Sequence, residues 1–184
     1  MAARILVALW AALAMPPPQQ QAVLVAGQDV PAPIKLRSSP PEYPDVARQA
    51  RMQGLVVLAV TVDEEGRPAE LKVLRGIPIL DEAAIHAVKK WRYAPTALDG
   101  VRRRVKFIEH VLFYLSDQDH MRAASEMTLD GHGPTPLRIW AISELLRIPP
   151  KYRRQVSETL SNAATDPDAT VAAAAKVALE QLAK

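Results

Sequence analysis

The chain of 184 residues contains no cysteine, few aromatic residues and little net charge, and each shortage excludes a class of protein. Without cysteine there are neither disulfides nor thiolate metal sites, so a small fold held by disulfides is excluded. Phenylalanine, tyrosine and tryptophan make up 5% of the residues, so we expect a core of aliphatic side chains and alanine. The net charge is only +3, and the basic residues are not interleaved with stacking aromatics, which argues against nucleic-acid binding.

The N-terminus has only a short apolar run, residues 5–15, before the first prolines. As a helix this run covers about half of a ~30 Å hydrocarbon core. The charge of Arg4 before it and the small residues Ala12 and Ala14 at its end predict a secretory signal peptide over residues 1–14, and hence a secreted protein. The alternative is a truncated anchor that is not cleaved and holds the protein at the inner membrane.

Two alternating runs, one helical pattern and one longer run predict an α+β domain over residues 42–115. Residues 55–62 and 69–74 alternate as strands do, and the acidic, glycine-containing connection between them is typical of a hairpin. A helix over residues 81–92 and a last strand over residues 104–115 follow. The order predicts a three-stranded antiparallel sheet with the helix packed on one face. Residues 15–41, which are rich in proline, are predicted as an extended linker.

The predicted helix has one apolar face, made by Ala84, Val88 and Trp91, so we expect Trp91 to be a core residue. A shorter helix is predicted over residues 45–51, because Pro44 suits a first helical turn. Val46 and Ala50 are expected to face the sheet.

The composition becomes helical and alanine-rich after Ser116, and residues 116–184 are predicted to form an all-α tail. Helices are expected to begin near Thr135, Tyr152 and Asp166. The last of these segments is similar to a HEAT-type helical repeat. The tail is expected to pack on the open face of the sheet, to bind another protein, or to form a plain helical cap.

No catalytic, metal-binding or cofactor-binding motif is found in the sequence. Asp117, Asp119 and His120 lie close together, and a polar loop is favoured there over a cation site. The sequence therefore predicts a protein that is not an enzyme and needs no cofactor.

Six short motifs in a fixed order carry a family resemblance: Glu42-Tyr43-Pro44, Gln53-Gly54-Leu55-Val56, Val62-Asp63-Glu64-Glu65-Gly66-Arg67, Leu80-Asp81-Glu82-Ala83-Ala84, Trp91-Arg92-Tyr93-Ala94-Pro95 and Asp99-Gly100. With them, residues 38–115 resemble the C-terminal domain of the TonB energy-transducer family. The resemblance implies a periplasmic module that binds an extended peptide of an outer-membrane transporter by strand addition to its last strand. It also implies inner-membrane motor proteins as partners.

The resemblance implies a peptide-binding site in two parts. The first is the segment before the Tyr-Pro pair, with Ser39, Pro40, Pro41, Glu42 and Tyr43. The second is the last strand, with Arg104, Val105, Lys106, Phe107, Ile108, Glu109, His110, Val111 and Leu112. Two questions stay open. Tyr43-Pro44 either contacts the peptide or fixes only the direction of the chain. The basic residues at the start of the strand either steer an acidic peptide or protect an exposed edge from aggregation.

A second function of a different class is also compatible with the sequence. In it, a non-transducing periplasmic scaffold protein forms a homodimer through the sheet and recruits a partner through the helical tail.

Overall fold

A four-stranded sheet and a bundle of helices make up the protein, whose computed structural model describes residues 22–184. The central strand β3 (Gly54–Val62) pairs antiparallel with β4 (Pro68–Arg75) and with β8 (Val105–Phe113). A short strand, β1 (Leu24–Val25), adds to the other side of β8 in parallel, so the strand order is β1-β8-β3-β4. The expectation of three antiparallel strands was incomplete, because it placed residues 15–41 in a linker.

The main core lies between one face of this sheet and the helix α2 (Pro78–Lys90). The alternation along β3 buries one complete face, and the helix buries the face opposite to it: Val56, Leu58, Val60 and Val62 from the strand, and Leu80, Ala84, Ala87 and Val88 from the helix. Trp91 follows the last residue of α2 and is 5% exposed, which confirms it as a core residue. Asp81 accepts a hydrogen bond from the N–H of Ile77 at 2.8 Å and thereby binds one of the free donors at the helix start.

The short helix α1 (Asp45–Gln49) packs through a different residue from the one expected. Ala47 is buried, whereas Val46 is 66% exposed and Ala50 is also exposed, so the prediction that Val46 and Ala50 face the sheet was wrong. Tyr43 fixes the orientation of this segment, since its ring packs edge-on against Phe113 at 5.6 Å and its hydroxyl donates to the carbonyl of Met52. A helix this short has no periodic pattern from which its buried face can be read.

Four short strands complete the α+β domain. β2 (Lys35–Arg37) pairs antiparallel with β5 (Arg92–Tyr93), directly after α2. β6 (Thr96–Leu98) and β7 (Val101–Arg103) form a separate hairpin before β8. The part of residues 15–41 that the structure describes thus contributes two strands, and it packs Val30 into the main core.

The tail consists of α3 (Asp117–Leu129), α4 (Thr135–Leu145), a 3₁₀ turn (Pro150–Tyr152), α5 (Arg153–Ala163) and α6 (Ala169–Leu182). The polar loop expected at Asp117, Asp119 and His120 is instead the first turn of α3. Ser116 caps it by accepting a hydrogen bond from the N–H of Asp119 at 3.2 Å. Because the cap starts the helix there, His120 turns inward and is 4% exposed.

The tail has a second core of its own, separate from the core under the sheet. α3 packs against α4 and α5, and α6 packs against α4 and α5. The side chain of Arg138 links the two helical hairpins, since it donates to the carbonyl of Thr128 and to the carboxylate of Asp166. Similarity of this arrangement to HEAT-type repeats stays a prediction.

The predicted signal peptide, residues 1–14, lies outside the described residues. Among residues 22–184, no helix combines the length and the apolar character that crossing a bilayer requires.

Candidate functional site

The outer edge of β8 is the place where a visiting strand was expected to pair. In a β-strand the main-chain groups of successive residues point alternately to the two sides. The carbonyls of Arg104 and Lys106 point outward, so the main-chain groups of Ile108, His110 and Leu112 point to the same edge.

The first part of this edge is occupied by the protein's own N-terminal segment. The N–H groups of Leu24 and Ala26 donate to the carbonyls of Arg104 and Lys106, each at 2.9 Å. Asp29 holds this strand in place, since its carboxylate accepts from the N–H of Val25 at 2.7 Å. β1 therefore already pairs with residues 105 and 106, which belong to the predicted peptide site.

The side chain of Glu109 lies on the core face, and its carboxylate reaches the middle of the edge. One carboxylate oxygen accepts from the N–H of His110 at 3.1 Å and from the Lys35 ammonium at 2.9 Å. The other accepts from the Tyr93 hydroxyl at 2.7 Å. Glu109 is 6% exposed, and these three donors offset the free-energy cost of burying its carboxylate. Burial and the neighbouring Glu109 carboxylate together raise the pKa of Tyr93, so this phenol stays a donor.

The last part of the edge forms the floor of a cavity of about 300 Å³. The segment before α1 flanks the edge from the core side, where Lys35 reaches Glu109. The tail flanks it from the opposite side, where Trp140 reaches His110. Three parts of the chain line this cavity, which we call the edge channel: Lys35, Ser38, Ser39, Pro40, Pro41 and Trp91; His110, Val111, Leu112 and Tyr114; and His120, Trp140, Glu144 and Arg147.

Main-chain donors remain in and beside the edge channel. The N–H groups of Ile108 and Leu112 face the edge and have no hydrogen-bond partner among residues 22–184. The Ile108 side chain is 50% exposed on the outer face of the sheet. A segment added over residues 108–112 has these two donors available, and it gains a third if Glu109 releases the N–H of His110.

Two aromatic pairs join the sheet to the tail at the edge channel. The rings of His110 and Trp140 lie 5.1 Å apart, and those of Tyr114 and His120 stack at 4.1 Å with an angle of 10°. Burial lowers the pKa of His110, Glu109 opposes this change, and Lys35 adds to it. The imidazole of His110 is consequently favoured in its neutral form against the indole.

A buried carboxylate lies behind the tail side of the channel. Glu144 is 7% exposed, and one of its oxygens accepts from Arg147 at 2.6 Å. Its other oxygen is 3.3 Å from Nε2 of His120. That Nε2 atom is buried and makes no hydrogen bond within the described part of the chain.

The structure brings together only part of the residues that the sequence indicated. Ser39, Pro40, Pro41, His110, Val111 and Leu112 line the edge channel, whereas Glu42 and Tyr43 line a different cleft beside α2. Val105, Phe107 and Glu109 point their side chains to the core face, and Arg104 pairs with Glu70 at 2.9 Å. The sequence reading missed Lys35, His120, Trp140, Glu144 and Arg147. Only Trp140 gave a signal, as a large aromatic residue in an alanine-rich tail.

Metal binding has no support in residues 22–184, where no three carboxylate or imidazole side chains lie close enough together to hold an ion. The edge channel instead offers main-chain hydrogen bonds, aromatic surface and charged side chains.

Comparison with known proteins identifies the sheet-bearing domain. Residues 39–115 match the family model described as the C-terminal part of the Gram-negative bacterial TonB protein. Over 63 residues the chain is 35% identical to a TonB protein of Vibrio cholerae, which covers 33% of this chain and 26% of the relative. Over 89 residues it is 33% identical to a TonB protein of Xanthomonas campestris, which covers 46% of this chain and 40% of the relative. The chain thus spans less than half the length of these curated relatives.

A solved structure gives a similar match. The solution structure of the Pseudomonas aeruginosa TonB C-terminal domain aligns at 30% identity with a TM-score of 0.38, and it covers 45% of this chain and 85% of that domain. The family match confirms the resemblance for residues 39–115, which form a TonB C-terminal-like domain. The tail, residues 116–184, lies outside the family match.

Proposed function

We propose that this protein binds an extended segment of an outer-membrane transporter in the periplasm, by strand addition at the edge channel. Strand addition derives its affinity from main-chain hydrogen bonds and its specificity from alternate side chains. The observation that carries the proposal is the pair of outward N–H groups of Ile108 and Leu112, which lie beside a cavity about 300 Å³ in volume.

The proposed contact covers residues 108–112 rather than 105–112. β1 already occupies the edge at Val105 and Lys106. A visiting strand can pair there only if the two hydrogen bonds that the N–H groups of Leu24 and Ala26 donate to the edge are broken. The segment of Ser39, Pro40 and Pro41 supplies side-chain contacts on the core side of the bound strand.

Proline at position 108 tests this proposal. Ile108→Pro removes an outward donor without removing any hydrogen bond to β3, so an edge strand tolerates it. Ile108→Thr is the matched control, because it changes the side chain and keeps the N–H. With a synthetic segment from the N-terminus of an outer-membrane transporter as the probe, calorimetry is expected to show binding to the wild type and to Ile108→Thr, and none to Ile108→Pro. Equal binding by both variants would contradict main-chain pairing.

The scaffold function is the second candidate, and the outer strand β4 favours it. This strand lies at the opposite edge of the sheet and carries Leu74 with 52% of its surface exposed. In this proposal the β4 edges of two copies pair, and the tail recruits a further protein. Light scattering of the purified chain distinguishes the two functions. A stable dimer that Leu74→Lys makes monomeric supports the scaffold, whereas a monomer at all concentrations contradicts it.

Motor proteins of the inner membrane were expected to act through the N-terminus. The residues concerned, 1–14, lie outside the described part of the chain, so this partner stays a prediction.

A further inference from the structure

The charged side chains that line the edge channel differ in one respect. Some are buried and already paired within the chain, and one can still reach a ligand. Lys35 lies on the core side, and its ammonium is bound to Glu109 at 2.9 Å with only 19% of the side chain exposed. Glu144 lies on the tail side and is also buried, with both oxygens close to groups of the tail. Neither residue is placed to meet a ligand with a free charge.

Arg147 is different from both. Its guanidinium donates through one nitrogen to Glu144, yet 57% of the side chain is exposed, and Arg147 is one of the residues that line the channel. A guanidinium carries five N–H donors in a planar fork that suits a carboxylate. Since only one nitrogen of the guanidinium is bound to the buried Glu144, the remaining donors are available to bind an anion.

Two further residues of the tail line the edge channel. Trp140 is only partly buried and packs against His110 at the outer edge of β8, so it joins the tail to the sheet beside the channel. His120 is 4% exposed, and its Nε2 lacks a hydrogen-bond partner among residues 22–184. Buried polar atoms without a partner are uncommon; this one lies 3.3 Å from an oxygen of Glu144, and His120 is one of the residues that line the channel.

We propose that the helical tail is the selective wall of the edge channel and favours extended segments that carry an acidic side chain, which pairs with Arg147. This inference rests on the function proposed above, and it adds the chemistry of the partner. Without the tail, the sheet edge is open on one side and accepts a strand of any charge. With the tail in place, a carboxylate opposite Arg147 gains a charge-assisted hydrogen bond, while a lysine there meets a positive charge.

The test is a selection from a phage-displayed library of random octapeptides on the full-length protein. We expect the wild type to enrich aspartate and glutamate at one position of the recovered peptides. Arg147→Gln is expected to lose this preference, and Arg147→Glu is expected to invert it toward lysine and arginine. Arg122→Glu is the matched control, because Arg122 lies on α3 with 67% of its side chain exposed and does not line the edge channel.

A direct affinity measurement follows the selection. One recovered peptide is compared with its twin in which glutamine replaces the acidic residue. The wild type is expected to prefer the acidic peptide by about fivefold, and Arg147→Gln is expected to bind both equally. If the circular dichroism of Arg147→Glu shows a loss of helix, the comparison between the wild type and Arg147→Gln alone decides the test.

The outcomes separate this inference from the function on which it rests. If the wild type and Arg147→Gln recover peptides with the same charge preference, the proposed role of the tail is overturned. The proposed peptide binding is then left intact. A preference that Arg122→Glu also loses overturns the role of the tail as well, since the effect is then one of net charge. Recovery of no peptide by any variant overturns the proposed function itself.

Discussion

The indole ring of Trp140 lies 5.1 Å from the imidazole of His110, and this contact joins the helical tail to the edge strand of a TonB-like sheet. The hydrophobic cores of the sheet and of the tail are separate clusters, and a second ring pair, Tyr114 and His120, also joins the two parts. The position of the tail, and with it one side of the edge channel, therefore depends strongly on a few side chains.

Trp140→Ala is expected to weaken the docking of the tail. The loss is on the order of 2 kcal/mol, below the ~3–5 kcal/mol typical of a fully buried tryptophan, because Trp140 is only partly buried. Urea unfolding measures this loss, and limited proteolysis is expected to release the tail faster than in the wild type. Val177→Ala, at a position 53% exposed on α6, is the control and is expected to behave as the wild type. Equal proteolysis of Trp140→Ala and the wild type would show that other contacts hold the tail.

The stability of this contact is expected to fall as the pH is lowered below about 6.5, the ordinary pKa of histidine. Burial lowers the pKa of His110 in the folded protein, so between the lowered value and 6.5 the unfolded chain binds more protons. Stability accordingly rises with pH in this window and is lost as the pH falls through it. Glu109 and Lys35 are the charged groups that face His110, and burial outweighs the opposing effect of Glu109.

His110→Phe isolates the effect, since phenylalanine keeps a ring against Trp140 and cannot titrate. Urea midpoints at pH 7.5 and pH 5.5 are expected to differ more for the wild type than for His110→Phe. Identical differences would assign the pH dependence to other groups.

Removing the charge of Glu109 is expected to destabilise the protein by about 2 kcal/mol. This is less than the ~3–5 kcal/mol of a fully buried broken ion pair, because Lys35 can turn its ammonium toward water. Glu109→Gln leaves Lys35 without its counter-charge and keeps one acceptor for Tyr93 or for the N–H of His110. Denaturant unfolding measures the change.

Glu70→Gln is the matched control for this substitution. Glu70 pairs with Arg104 at the same distance, 2.9 Å, but 70% of its side chain is exposed. Its loss is expected to cost no more than about 0.5 kcal/mol, as for exposed ion pairs in general. Equal losses for the two variants would contradict the structural role given to the buried network.

The sequence predicts the central part of this fold well because periodicity reports burial directly. The alternation along residues 55–62 and the spacing of Ala84, Val88 and Trp91 each identify a face that the structure buries. The starting points of the tail helices follow from proline and capping residues, as at Asp168, which accepts from the N–H of Thr170 at 2.9 Å.

The edge channel could not be predicted in the same way, because it depends on contacts between distant parts of the chain. Leu24 and Val25 show no alternating pattern in so short a strand, and they form β1 only because the edge of β8 is there to pair with. Lys35 meets Glu109 across 74 positions of sequence, and nothing local to either residue indicates the other. His120 lies within a run of polar residues that is typical of a loop, and the cap at Ser116 turns it inward.

Strand addition at β8 is tested most directly by amide hydrogen exchange of the full-length protein, with and without a synthetic segment from the N-terminus of an outer-membrane transporter. Strand addition predicts slower exchange at Ile108 and Leu112 when the segment is bound, with the amides of β4 unchanged. Protection at β4, with the amides of Ile108 and Leu112 exchanging as fast as in the free protein, would contradict it.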